Sequence, residues 1–232
     1  MRSLPGLRTL LDLILPVECG GCAVPGTRWC ARCAAELADD PVLLCPRMDP
    51  GVPVWALGHY SGPRRRAVIA AKERGRRDLA GPLGSAVAGA LVRLHHWGEL
   101  DASEQSSVVL VPAPTRARTA RIRGGDPVTR IAVEAVGPRR VCPALTMRRG
   151  VHDSVGLSAD QRRANLDGGI RLTGRGEHFS RCLLSESAEL QSVSVVLLDD
   201  VSTTRATATE SIRVLSESGI RVSAAVVIAG VG

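Results

Sequence analysis

Two adjacent carboxylates, Asp199 and Asp200, close the apolar run Val195-Val196-Leu197-Leu198, and a hydroxyl-rich stretch follows at once: Val201-Ser202-Thr203-Thr204-Arg205-Ala206-Thr207. A continuous apolar run reads as a parallel strand covered on both faces. Ligands of open parallel sheets bind beyond the carboxyl ends of the strands. A helix beginning there offers unpaired N–H groups and the positive end of its dipole, which suit a phosphate monoester. Carboxylates do not bind phosphate; two of them suit sugar hydroxyls or a magnesium ion. Together the two halves of the segment fit a ribose 5-phosphate. Helix capping without a ligand explains one or two of these residues but not the acid pair.

A second constellation is Cys19-x2-Cys22 followed by Cys30-x2-Cys33. Two such pairs supply four thiolates for one tetrahedral zinc. Four thiolates leave no open coordination position, so the expected role is structural, with a nucleic-acid-binding ribbon as the alternative. Gly20 and Gly21 are expected to give the first knuckle backbone freedom, and Arg28 and Arg32 to balance a dianionic centre. Cys45 is a spare ligand or a small buried side chain. Seven cysteines with two tight pairs read as metal ligation in a reducing compartment, not as a disulfide framework.

Arginine dominates the positive charge, which is +7 overall. Its planar fork grips phosphates, although net charge alone does not separate a phosphorylated metabolite from a nucleic acid. Arg116, Arg118, Arg121 and Arg123 follow the turn Pro112-Ala113-Pro114-Thr115. Arg148, Arg149, Arg162 and Arg163 flank a polar segment that contains His152 and Asp153. The run Arg64-Arg65-Arg66 is expected on the outer face of a helix.

The elements that must position these groups alternate. Strands are expected at 54–57, 108–111, 141–147, 193–198 and 222–228. Helices are expected at 64–72, 79–95, 127–136 and 204–218, the last ending at a left-handed Gly219. Segment 148–165 reads as a mobile loop or hairpin, and the polar segment 174–192 as a flexible insertion. The alternation implies an α/β fold, a parallel twisted sheet flanked by helices. Aromatic residues make up 2% of the chain, so Ala, Val, Leu and Ile must fill its core. Residues 1–50 are expected to form a four-cysteine zinc-binding segment, with a short amphipathic helix through Leu7, Leu10, Leu11 and Ile14, and residues 51–232 the α/β domain. No apolar run reaches the roughly 20 residues that span a bilayer, so a cytoplasmic protein without membrane insertion is expected.

The segment Asp-Asp-Val-x-Thr-Thr-x-Ala-Thr resembles the phosphoribosyl pyrophosphate (PRPP) signature of type I phosphoribosyltransferases. Within them the chain resembles the ComF/GntX-like family, which is linked to competence and DNA uptake. The further pieces are the four-cysteine segment, Tyr60-Ser61-Gly62 with Lys72 downstream, Val111-Pro112-Ala113-Pro114, Arg123-Gly124, and Gly156-Leu157-Ser158 followed by Arg162-x-x-Asn165. Their order matches the family along nearly the whole chain.

The resemblance implies a type I phosphoribosyltransferase-like fold. Asp199 and Asp200 would contact ribose hydroxyls as the catalytic pair. Ser202, Thr203, Thr204, Arg205, Ala206 and Thr207 would surround the 5-phosphate. Pro112, Ala113, Pro114 and Thr115 would bind the pyrophosphate, and Arg148, Arg149, Arg162 and Arg163 would belong to a flexible lid. It implies PRPP bound with magnesium, and transfer of the phosphoribosyl group to an acceptor that the sequence does not identify. A second reading is a non-catalytic module that keeps the fold and contacts single-stranded DNA or a DNA-processing protein. The family usually carries glycine at the position of Arg205, an aromatic residue at that of Gly125, and Phe at that of Ile170.

Overall fold

The computed structural model describes residues 17–45, 49–100, 108–115, 125–148, 168–185, 193–202 and 206–231. A short helix α1 (Ala31–Leu37) follows the cysteine knuckles. Strands β1 (Val42–Leu43) and β2 (Val54–Ala56) come next, then helices α2 (Gly62–Glu73) and α3 (Ala80–His96). Strand β3 (Val108–Pro112) and helix α4 (Pro127–Val136) lead to β4 (Leu145–Met147) and β5 (Ile170–Leu172). Helix α5 (Gly174–Leu184), strand β6 (Ser194–Ser202), helix α6 (Ala206–Glu217) and strand β7 (Val222–Gly230) complete the described elements.

Five strands form one sheet in the order β1-β2-β7-β6-β3. Its β2–β7, β7–β6 and β6–β3 pairs are parallel, and β1 adds an antiparallel edge. The fold is therefore mixed α/β, with a mostly parallel sheet flanked by helices and a cysteine cluster at its N-terminal side.

The sheet is covered on both faces, as its uninterrupted Val/Leu/Ala strands require. On one face Leu110, Val196, Leu198 and Val226 pack against α2, α3 and α4 through Val68, Val87, Leu94 and Ile131. On the other, Val195, Leu197 and Val227 meet Ile212 and Leu215 of α6 and the antiparallel β4–β5 pair through Leu145 and Ile170. Helices α3 and α4 cross closely at Gly84, where an added Cβ would stand 3.0 Å from the Ala135 backbone nitrogen. Gly219 closes α6 with φ +78°, in the left-handed region that glycine enters without strain.

Four expectations need correction. Residues 141–147 do not form a strand of the main sheet. Val141 makes one isolated bridge to Leu110, and only Leu145–Met147 is a strand, paired antiparallel with β5. Segment 174–184 is a helix. Thr173 caps it by accepting the Gly176 N–H at 3.1 Å, and Phe179 and Leu183, four positions apart, pack on the second face of the sheet. Its remaining stretch, 186–192, and the expected amphipathic helix through Leu7, Leu10, Leu11 and Ile14 lie outside the described residues. The apolar strand does not stop before the acid pair, since β6 runs on through Asp199 and Asp200 to Ser202.

The fourth concerns Arg64, which is buried at 8% exposure while Arg65 and Arg66 are exposed. Its Nε donates to the Leu57 carbonyl at 2.9 Å, and its Nη2 donates to the Glu36 carbonyl and to Asp39 at 2.9 Å. This one side chain ties the first turn of α2 to the end of α1. Arg64→Ala leaves those carbonyls without their donor and is expected to cost about 3 kcal/mol. Urea unfolding measures the loss; an unchanged midpoint contradicts this role.

Candidate functional site

Four sulfurs converge at the N-terminal side. Those of Cys19, Cys22, Cys30 and Cys33 lie within 4.8 Å of one another. Cys19 and Cys33 are 3.7 Å apart, and Cys22 and Cys30 are 3.6 Å apart. Ligands at about 2.3 Å around one tetrahedral zinc stand about 3.8 Å from each other, so the set has the size of such a shell. A disulfide would bring two sulfurs far closer.

The chain holds the knuckle by backbone bonds, Cys19 N–H to the Val24 carbonyl at 2.9 Å and Ala23 N–H to the Cys19 carbonyl at 2.8 Å. Burial raises the Cys19 thiol, but the N–H groups of Cys22, Cys30 and Gly21 outweigh it and bring the thiol down to about 6. Burial pushes Cys33 up, reinforced by the neighbouring cysteines. Arg32 lies against Cys22, as a charge-balancing role requires.

Gly20 and Gly21 serve close approach and not backbone freedom. A Cβ on Gly20 would meet Leu79 at 2.5 Å, and one on Gly21 would meet the Cys33 sulfur at 2.7 Å. The left-handed residue of the knuckle is Ala23, at φ +63°. Cys45 is exposed and lies outside the cluster.

The carboxylate pair sits at the C-terminal end of β6. Asp200 is buried at 8% exposure, and Lys72, in the last turn of α2, reaches it with Nζ 2.8 Å from Oδ2 and 3.1 Å from Oδ1. Lys72 is the only lysine in the chain. Pleat alternation turns Asp199 to the opposite face, where its Oδ1 accepts the Asp200 N–H at 2.8 Å. Burial and then the charge of Asp200 push the Asp199 carboxyl up to about 8, against the pull of Lys72.

Strand β3 delivers Pro112, Ala113, Pro114 and Thr115 to the same sheet edge. Pro112 is in register with Leu198, and the Ala113 N–H donates to the Leu198 carbonyl at 2.7 Å. Thr115 donates its hydroxyl to Asp126 at 2.7 Å, and Asp126 caps α4 through the Thr129 N–H at 2.9 Å. The structure thus brings Asp199, Asp200 and the Pro112–Thr115 segment together, with α6 beginning at Ala206, which is buried, and Thr207, which is half-buried.

Thr203, Thr204 and Arg205 lie outside the described residues, as do Arg149, Arg162 and Arg163. Arg148 is exposed at the end of β4, where its N–H donates to the Gly169 carbonyl at 2.8 Å. The Gly168 N–H donates to Glu210 of α6 at 3.0 Å, so the stem of the arginine-rich segment rests on that helix. From sequence alone Lys72 is only a motif residue downstream of Tyr60-Ser61-Gly62, and Asp126 has no site role. For Asp126 the signal was legible, an Asp-Pro pair opening a helix. For Lys72 no local pattern revealed its partner 128 positions away. Among the described residues no helix is long and apolar enough to cross a membrane.

The chain matches no protein-family model and no curated protein sequence.

Because the folded chain keeps a proton on Asp199 that the unfolded chain releases near about pH 4, stability falls as pH rises from there toward 8 and then levels off. Asp199→Asn removes that slope. Urea midpoints of both proteins at pH 5 and pH 8 are expected to favour the variant more at pH 8; an equal difference at the two pH values contradicts a carboxyl held in its neutral form.

Proposed function

We propose that this chain is a PRPP-binding protein of the phosphoribosyltransferase type, which transfers the phosphoribosyl group to an acceptor. The observation that carries the reading is the pairing, at one sheet edge, of the Asp199–Asp200 strand end with the Pro112–Thr115 turn of the neighbouring strand. A carboxylate pair accepts hydrogen bonds from the 2- and 3-hydroxyls of a ribose. The start of α6 lies four residues beyond Ser202 and offers N–H groups to the 5-phosphate. The turn after β3 then faces the pyrophosphate at C1.

In the reaction the bond from C1 to the pyrophosphate oxygen breaks and its electron pair leaves with pyrophosphate. The acceptor forms the new bond to C1 and gives up a proton. The protein's part is to position the two reactants and to stabilise charge, with little covalent chemistry of its own. Magnesium bound with PRPP supplies neutralisation of the pyrophosphate. Lys72 already covers Asp200, so the carboxylates suit the sugar better than direct ligation of that ion.

The four-sulfur cluster is read as a structural zinc centre, closed to substrate. Metal analysis is expected to give about one zinc per chain. Substituting Cys33→Ser should lower both the zinc content and the thermal midpoint; full retention of both contradicts the assignment. For the ligand, calorimetry with PRPP and magnesium is expected to show saturable binding. Asp199→Asn with Asp200→Asn weakens it at least about tenfold, near 1.4 kcal/mol. No binding by the unmutated protein, at either high or low salt, defeats the proposal.

A further inference from the structure

The turn after β3 is held by its own backbone as far as Pro114 and by a distant side chain beyond it. Proline fixes φ at Pro112 and Pro114. The Ala113 N–H is tied to the Leu198 carbonyl at 2.7 Å. Thr115, half-buried at the end of the turn, is placed through its hydroxyl, which donates to Asp126 Oδ1 at 2.7 Å across eleven positions of chain.

Asp126 is itself well anchored. It is the N-cap of α4, and its other oxygen, Oδ2, accepts the Thr129 N–H at 2.9 Å and the Thr129 hydroxyl. Val128, Ile131 and Ala132 bury that helix in the same core as Leu110 of β3. The two carboxylate oxygens thus serve two elements, Oδ2 the helix and Oδ1 the turn. Capping a helix needs only one of them. The second goes to the residue that ends the turn at the candidate site.

Counting donors shows what Thr115 has left to offer. Pro112 and Pro114 carry no N–H. That of Ala113 is spent on Leu198, and the Thr115 hydroxyl is spent on Asp126. Among the described residues, the Thr115 N–H is the one donor of this turn without a partner. An anion beside the turn meets either that N–H or carbonyl oxygens, which repel it. The aim of one peptide group therefore decides how well a phosphate is held there.

We propose that Asp126 is a positioning residue for the pyrophosphate part of the ligand: it clamps Thr115 to α4 and so aims the Thr115 N–H at the phosphate oxygens. The ligand's identity rests on the PRPP reading of this sheet edge. Asp126 touches no ligand itself. Both of its oxygens are occupied, and its charge would repel pyrophosphate at contact.

Calorimetry on the full chain with magnesium compares PRPP, pyrophosphate and ribose 5-phosphate. Asp126→Ser keeps an oxygen for the cap of α4 but withdraws the one that holds Thr115. Thr115→Val removes the hydroxyl from the other side and leaves the cap intact. Each is expected to weaken PRPP and pyrophosphate about tenfold and to leave ribose 5-phosphate within about twofold. The double variant should lose no more than either single one, because both changes break the same bond. Thr115→Ser, which keeps the hydroxyl, should bind all three probes like the unmutated chain. An unchanged pyrophosphate affinity in both single variants overturns the role. So does an equal loss of ribose 5-phosphate, which is what a general loosening of the fold produces. Losses that add in the double variant also overturn it, since the Thr115 hydroxyl would then act on the ligand by itself. If the unmutated chain binds no PRPP, the reading of the sheet edge fails and the role of Asp126 falls with it. If PRPP binds and Asp126→Ser binds it equally well, only the role of Asp126 fails.

Discussion

The ion pair between Lys72 and Asp200 is the constraint around which the rest of the site is arranged. A carboxylate at the end of a central parallel strand has lost most of its water, and its neighbour Asp199 adds a like charge. Lys72 supplies the opposite charge that the buried carboxylate needs close by. Lys72 reaches Asp200 from the last turn of α2, a helix held against the sheet by the apolar face it shares with α3 and α4. Asp199, turned to the other face, receives less of that field and keeps its proton to higher pH. Two chemically identical side chains thus acquire different characters from one residue's difference in position along a pleat.

Helix α2 also carries the link to the cysteine cluster. Arg64 in its first turn binds the end of α1, and Lys72, eight positions on and about 12 Å along the axis, binds Asp200. Just past the helix, Arg76 reaches the carbonyls of Glu18 and Arg28, which bracket the knuckle. The cluster is therefore not an appendage. Its backbone is hydrogen-bonded to the same stretch of chain that lines the candidate ligand site, and Leu79 packs under Gly20 at its base.

The sequence exposed most of this wherever a signal is local. The strands β3, β6 and β7 are unbroken apolar runs, and α4 opens on Asp126-Pro127, so their existence could be read directly. The paired CxxC spacing located the four sulfurs. What escaped were relations set by distant partners. Arg64 sits in a run of three arginines and differs from the other two only in facing Leu57 and Glu36 across a tertiary contact. Helix α5 is not legible in sequence because two glycines and scattered polar residues dilute its apolar spacing, while its stability comes from a cap and from Phe179 and Leu183 packing on the sheet. Residues 141–147 have strand-forming side chains, yet the chain leaves the sheet after one bridge at Val141, and Pro143 within that stretch removes a backbone donor.

One feature of the composition acquires chemical meaning from the fold. Apart from five histidines all other basic side chains are guanidinium groups, and the single lysine stands at the candidate site with its side chain 42% exposed. The protein therefore presents one side-chain primary amine, already adjacent to a carboxylate. Reagents that acylate or reductively alkylate amines have that nitrogen as their only internal target. Acylating it would erase the charge that Asp200 relies on, while methylation would preserve it. The chain is in effect built with a single chemical address, and that address is the site itself.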